Sequence, residues 1–203
     1  MISVETETGT LELQTEEEVF SPSHADPGTM AMLSLISVTD SDTVLDLGCG
    51  CGIVGIVLAK RGAGRVIFTD VLEQAAALTR RNAVQNGLSE PDVRCGNAYE
   101  SVPEKDFTMI VSNPPYHTDF SVAKEFIETG FRKLAVGGKM IMVTKRLDWY
   151  RNKLTTVFGG VKVTESNGYY IFIAEKRTAH RTTRKEPKQQ LSKKLARRYS
   201  GRK

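Results

Sequence analysis

No apolar run in the chain approaches the roughly 18 residues a helix needs to cross a bilayer, and no charged-then-apolar leader opens it. The expectation is a cytoplasmic protein with neither a membrane span nor a secretory signal. Cysteine is scarce: Cys49, Cys51 and Cys95 are an odd number, and two of them alternate within one glycine-rich stretch. Cys-x-Cys without a histidine or a second cysteine pair beside it is poor zinc spacing, so no metal site is expected. Small side chains accepted in a tight loop of a reducing compartment account for them. Of the three histidines, His24 and His180 read as surface residues. Internal repeats are lacking, and low complexity is confined to the last segment.

The 203 residues are 40% apolar and 26% charged, the balance of one globular domain with a sizeable core. The net charge of +4 conceals an asymmetry. Residues 176–203 carry 12 Lys/Arg against the single acid Glu186, whereas residues 1–175 are net acidic. The expected organisation is a domain over 1–175, beginning with a hairpin extension over 1–20, and a basic, flexible tail over 176–203. Such a tail suits a polyanion bound through its phosphates, or serves only to solubilise.

Ile2, Val4, Leu11 and Leu13 alternate weakly around Gly9, where a small hairpin is expected to turn. Pro27-Gly28-Thr29 opens a helix with Met30, Leu33, Leu35 and Ile36 on or near its inner side. Beyond it, short apolar runs alternate with helical stretches. Strands are expected from residue 43, over 65–70, over 92–95 and over 107–112, the last stopped by Asn113-Pro114-Pro115. Helices are expected from Ile53 to Ala59 and over 72–85. Val122, Phe126, Ile127, Phe131 and Leu134 stand at helical spacing, with Gly137-Gly138 closing that helix. Met140 to Val143 form a strand, and Leu147, Tyr150, Leu154, Val157 and Phe158 mark another helix. Val161-Lys-Val-Thr and Tyr169-Tyr-Ile-Phe-Ile are joined by Ser166-Asn167-Gly168, a hairpin signal. Alternating βα units imply an α/β fold: a mostly parallel, Rossmann-like sheet with helices on both faces and a C-terminal antiparallel hairpin.

Residues 43–55, Thr-Val-Leu-Asp-Leu-Gly-Cys-Gly-Cys-Gly-Ile-Val-Gly, are the centre of this arrangement. Strand, glycine turn and helix present backbone N–H groups to a nucleotide-like ligand. Gly50-Cys-Gly52-Ile-Val-Gly55 is a literal dinucleotide fingerprint, with Asp70 at the distance of a ribose-binding acid. The first glycine after the strand is Gly48, however, so that register is late. Asp46 at the strand end would also repel a pyrophosphate, and it would suit a cationic ligand with an α-amino group. Asp46, Asp70, Asn97 and Asn113 all fall at or just after strand ends, so they should converge on one rim.

Asp46-x-Gly48-x-Gly50-x-Gly52 resembles the first motif of the class I S-adenosylmethionine-dependent methyltransferases. The resemblance covers roughly residues 19–175 and implies a seven-stranded sheet whose last strand is antiparallel. It implies cofactor contacts from Asp46, Gly48, Cys49 and Gly50, from Asp70 and Val71 to the ribose, from Asn97 and Ala98 at the adenine edge, and from Asn113. Val19-Phe20-Ser21-Pro22 through Asp26-Pro27-Gly28-Thr29 resembles the "methyltransferase small" group, which includes the ribosomal RNA guanine-N2 methyltransferases of the RsmC type. Phe20 would then lie near the cofactor and Thr29 at its carboxylate end. Enzymes of that type usually carry a duplicated amino-terminal domain, which this sequence does not contain.

Asn113-Pro114-Pro115-Tyr116 resembles the motif of enzymes that methylate exocyclic or amide nitrogens. The lone pair of such a nitrogen is delocalised. An amide oxygen and a backbone carbonyl held by rigid prolines can accept its N–H bonds and aim it, while an aromatic ring stacks on a planar substrate. Asn113, Pro114, Pro115 and Tyr116 are therefore the expected catalytic residues; His117 beside them either touches substrate or is a solvated loop residue, and the chemistry does not need its acid–base capacity. The resemblance implies methylation of guanine N2 in ribosomal RNA, with RNA or a ribosomal subunit as partner and no metal. A protein glutamine methyltransferase shares the motif but normally carries a helical substrate domain, for which the forty or so residues before Thr43 are too few. Adenine N6 of RNA or DNA is the other alternative.

Overall fold

The computed structural model describes residues 1–16, 25–114 and 120–178. Its elements in chain order are β1 (Ile2–Thr6), β2 (Gly9–Leu13), α1 (Pro27–Leu33), β3 (Thr43–Leu47), α2 (Ile53–Lys60), β4 (Arg65–Asp70) and α3 (Glu73–Gln85). They continue as β5 (Asp92–Cys95), β6 (Phe107–Ser112), α4 (Phe120–Lys133), β7 (Leu134–Thr144), α5 (Leu147–Phe158), β8 (Lys162–Ser166) and β9 (Tyr169–Glu175). Seven strands form one sheet in the order β5-β4-β3-β6-β7-β9-β8, in which β9 alone runs against the others.

The central strands are apolar along their length because both faces are covered. Successive side chains still part company. Val44, Val66, Phe68, Met109, Val111, Ile141 and Val143 join α1, α2 and α3 in one core layer. Leu45, Leu47, Ile67, Ile110, Met140 and Met142 join α4 and α5 in the other. This two-residue alternation divides one continuous apolar run between two cores. No helix among the described residues is long and apolar enough to cross a membrane.

The terminal hairpin turns through Asn167 and Gly168, with φ of 51° and 77°. Two left-handed residues match the twist of the strands they join, which is why Asn-Gly signals this turn. Glu175 of β9 pairs with Lys139 and Tyr170 with Thr144. The chain thus leaves β9 at the amino-terminal rim of the parallel strands, opposite the glycine turn.

Three expectations require correction. Leu134 does not belong to the preceding helix: α4 ends at Lys133, and Leu134 pairs with Phe107 as the first residue of β7. Gly137-Gly138 lies inside that strand, where the ladder shifts register. Gly137 has φ 88°, and a Cβ on Gly138 would stand 2.6 Å from the Phe107 carbonyl oxygen. A buried strand start extends a helical apolar pattern without a break, so periodicity alone could not separate them. Leu35 is exposed, and Met32 and Leu33 form the inner side of α1. Finally, the first hairpin turns through Glu7 and Thr8, because Gly9 already pairs with Thr6. This hairpin is a sheet of its own, docked on α3. The Asn82 and Asn86 side chains each bond an N–H and a carbonyl of the β2 segment, at Gln14 and Glu12 respectively.

Candidate active site

Strand order turns back between β3 and β6: β4 and β5 lie to one side, β7 to the other. Loops leaving the carboxyl ends of a parallel sheet diverge at such a point and leave a crevice. Here the crevice is a cleft open to solvent, walled by Thr29, Asp46, Gly48, Cys49, Gly50 and Asn113 among others. Six of the expected cofactor residues are thus brought to one place, and one of them, Asn113, is also the expected catalytic amide.

The glycine turn needs its glycines: Gly48, Gly50 and Gly52 have φ of 74°, 58° and 86°, a region costly for residues with a Cβ. The turn is secured from behind. Gly48 and Cys49 donate to the Thr69 carbonyl at 2.8 and 3.0 Å. Thr79 Oγ1 donates to Gly50 O at 2.8 Å, and Asn82 Nδ2 to Cys51 O at 2.8 Å. Thr79 and Asn82 were not expected at the site. Their signal was available in the sequence: two polar residues three apart on a face of α3 otherwise made of Ala75, Ala76, Leu78 and Ala83, all of them buried.

Asp46 is 2% exposed and accepts the Gly55 N–H at 2.9 Å. Burial pushes its carboxyl up to about 7, with the Asp70 charge adding to the effect and the Gly55 N–H opposing it. A buried carboxylate with one N–H partner is costly to ionise until a cation arrives. Cys49 and Cys51 beside it are driven up mainly by burial, which keeps both as inert thiols.

Asp70 ends β4, and its Oδ2 accepts the Gly50 N–H at 2.9 Å while Oδ1 accepts that of Leu72 at 3.0 Å. Gly96 N–H reaches the Asp70 carbonyl at 2.9 Å, which brings the loop after β5 alongside. Val71 is 61% exposed on this rim, and Asn97 is exposed as well. Ala98 is buried in the core, with φ 49°. Asp70, Val71, Asn97 and Ala98 continue the rim away from the cleft and do not line it.

Asn113 follows β6 directly. Its Nδ2 donates to Thr29 Oγ1 at 2.8 Å and to Asp26 Oδ1 at 3.1 Å. Two acceptors at one end assign the amide, so its carbonyl oxygen faces the other way. Asp26 caps α1 by accepting the Thr29 N–H at 2.8 Å, and Tyr169 Oη donates to its second oxygen at 2.9 Å. Gly28 makes room for that ring, since a Cβ there would lie 2.2 Å from Tyr169 Cδ1. Asp26 and Tyr169 are the second pair that sequence reading missed as site residues. Pro114 is buried next to Asn113. Phe20, His24, Pro115, Tyr116, His117 and His180 lie outside the described residues.

Residues 10–173 match the model of the methyltransferase small domain. The chain belongs to the methyltransferase small domain family. Curated relatives of the chain include ribosomal RNA small subunit methyltransferase C of Sodalis glossinidius, 32% identical over 87% of this chain and 51% of that protein. The protein of the same name from Pseudomonas putida is 32% identical over 83% of this chain and 52% of its own length. The chain therefore spans about half the length of the curated relatives it matches. Among solved structures, the Thermus thermophilus 16S rRNA N2 G1207 methyltransferase, in complex with AdoMet and guanosine, superposes with a TM-score of 0.80. That match is at 25% identity and covers 87% of this chain and 50% of the other. A Pyrococcus furiosus methyltransferase shares the fold, with a TM-score of 0.65 at 20% identity over 83% of this chain.

Proposed function

We propose that this chain methylates the exocyclic N2 of guanine in ribosomal RNA of the small subunit, with S-adenosylmethionine as methyl donor, in the cytoplasm. The observation that carries the reading is the place of Asn113, directly after β6 on the wall of the glycine-turn cleft, with its nitrogen bonded to Thr29 and Asp26. The cleft suits that donor. Three left-handed glycines clear the approach to the backbone, and the buried Asp46 carboxylate answers a cationic amino acid moiety.

The donor supplies a methyl group already activated on a positively charged sulfur. Residues of the chain then have mainly to align, an effect worth about 7–11 kcal/mol when geometry is right. Asp46, Gly48, Cys49 and Gly50 would hold the amino acid end, together with Thr29 and Phe20. Asp70 and Val71 would hold the ribose, with Asn97 and Ala98 at the adenine edge. The Asn113 oxygen and the backbone carbonyl beside Pro114 and Pro115 would accept the two N–H bonds of the guanine amine and direct its lone pair into the cleft. Tyr116 would stack on the base. No strong base is needed, because the amine proton turns acidic as its nitrogen becomes tetrahedral.

Labelled S-adenosylmethionine offered with small subunits, naked RNA and protein tests this directly. The expected product is N2-methylguanosine; label on glutamine or on adenine would overturn the reading. Asp70→Ala should weaken donor binding by about tenfold or more, the loss of a charge-assisted hydrogen bond. Unchanged affinity in calorimetry removes Asp70 from the site.

The domain over 1–175 would do the chemistry, and the basic tail over 176–203 would hold RNA phosphates. Because β9 delivers the chain to the opposite rim, that grip would fall away from the target base, by about 20 Å for six residues of strand. Deleting residues 179–203 should flatten the salt dependence of RNA binding. An unaltered slope would make the tail a solubilising appendage.

A further inference from the structure

Beside Asn113, the amino-terminal ends of α4 and α5 carry a cluster that the methyl-transfer reading does not use. Phe120 opens α4, and Trp149 lies in the first turn of α5. Their rings stack at 4.4 Å and 19°, and the Arg146 guanidinium lies over Phe120 at 4.8 Å. Lys145, next in the chain, holds its ammonium 4.8 Å from the centre of the Tyr169 ring, the residue that bonds Asp26. Both cations are exposed, and both rings are only partly buried. Phe120 and Trp149 rest against the core with one side and stay partly exposed on the other. The neighbouring Tyr150, 4% exposed and stacked on Phe172, is the buried ring of this turn. Asp148 on this turn is paired with Arg151 at 2.8 Å.

We propose that Phe120, Trp149, Arg146 and Lys145 form a platform for single-stranded RNA, on which a nucleotide flanking the target base stacks while its phosphates meet the two cations. The inference rests on the RNA reading above. Partly exposed stacked rings beside two cations, on the rim where the base must enter, match the chemistry of single-stranded nucleic acid, whose bases offer a flat face and whose backbone offers negative charge. A base inside structured RNA must leave its stack to be methylated, and a platform for its neighbour would hold the opened strand.

Trp149 is the only tryptophan in the chain, so its emission reports on the platform directly. Titrating the full-length protein with a mixed-sequence single-stranded RNA oligonucleotide should quench that emission saturably and shield it from acrylamide. Trp149→Ala should raise KM for RNA by roughly five- to a hundredfold, the range of one lost base stack. Trp149→Phe should restore most of this, and donor affinity should stay constant in both. Arg146→Ala should lower the salt slope of RNA binding by about 0.7. Emission unmoved at saturating RNA, or variants with unchanged KM, overturns the platform. Methylated RNA with silent emission would sink the platform alone, whereas responsive emission with no methyl on RNA would sink the guanine-N2 reading and leave the platform.

Discussion

Asn113→Ala should abolish most turnover while leaving donor binding nearly intact. Placing a polar group against a developing charge contributes about 10²–10³ in rate in comparable sites, and that is the expected loss. The structural basis is the pair of bonds from Nδ2 to Thr29 and Asp26, which fix the orientation of the side chain on the cleft wall. Asn113→Asp keeps an acceptor but sets a second carboxylate against Asp26, so the two would share a proton and the amide geometry would be lost. Tyr169→Phe is the graded control. It removes one bond to Asp26 at 2.9 Å, while the Thr29 N–H still holds the other oxygen. A smaller fall in kcat, with donor affinity unchanged, marks Tyr169 as a positioning residue. Single-turnover rates and calorimetry on the same samples separate the two effects, and full activity in Asn113→Ala would remove the catalytic assignment.

Asp46→Asn should make the ligand-free protein more stable and the donor bind more weakly. The carboxyl is pushed up to about 7 in the folded chain, chiefly by burial, against 3.8 unfolded. Between those values the folded state keeps a proton that the unfolded chain has released, so stability falls as pH rises, and above about 7 the whole cost is present. The amide carries no such cost and can still accept the Gly55 N–H. The gain should therefore approach an upper bound of roughly 4 kcal/mol at pH 8 and vanish below pH 4. Urea unfolding at the two pH values measures it. In the parent chain, donor affinity should rise with pH up to about 7, where Asp46 ionises, and the substitution should remove that rise with about a tenfold or greater loss at pH 8. A stabilised variant that still binds the donor normally would show that Asp46 holds the turn and does not meet the ligand. Stability given up at a site in favour of binding is a common pattern.

The amino-acid sequence by itself determined the layered α/β architecture and the glycine turn that walls its cleft. Alternation along residues 65–70 and 140–143 divides each strand between two cores, and left-handed turns at Gly48, Gly50, Gly52 and Asn167-Gly168 follow from residue type alone. These are local properties, set by the pleat and by what a Cβ permits. Leu134 marks where local reading stops: its apolar side chain continues a helical spacing, and only pairing with Phe107 makes it a strand. The support of the site is of the same kind. Asp26, Asn113 and Tyr169 are far apart in the chain, as are Gln14, Cys51 and Asn82, yet each set is joined by hydrogen bonds. No spacing rule connects such partners. A buried polar group takes whichever acceptor the packed sheet brings within about 3 Å, and only the tertiary structure decides which one that is.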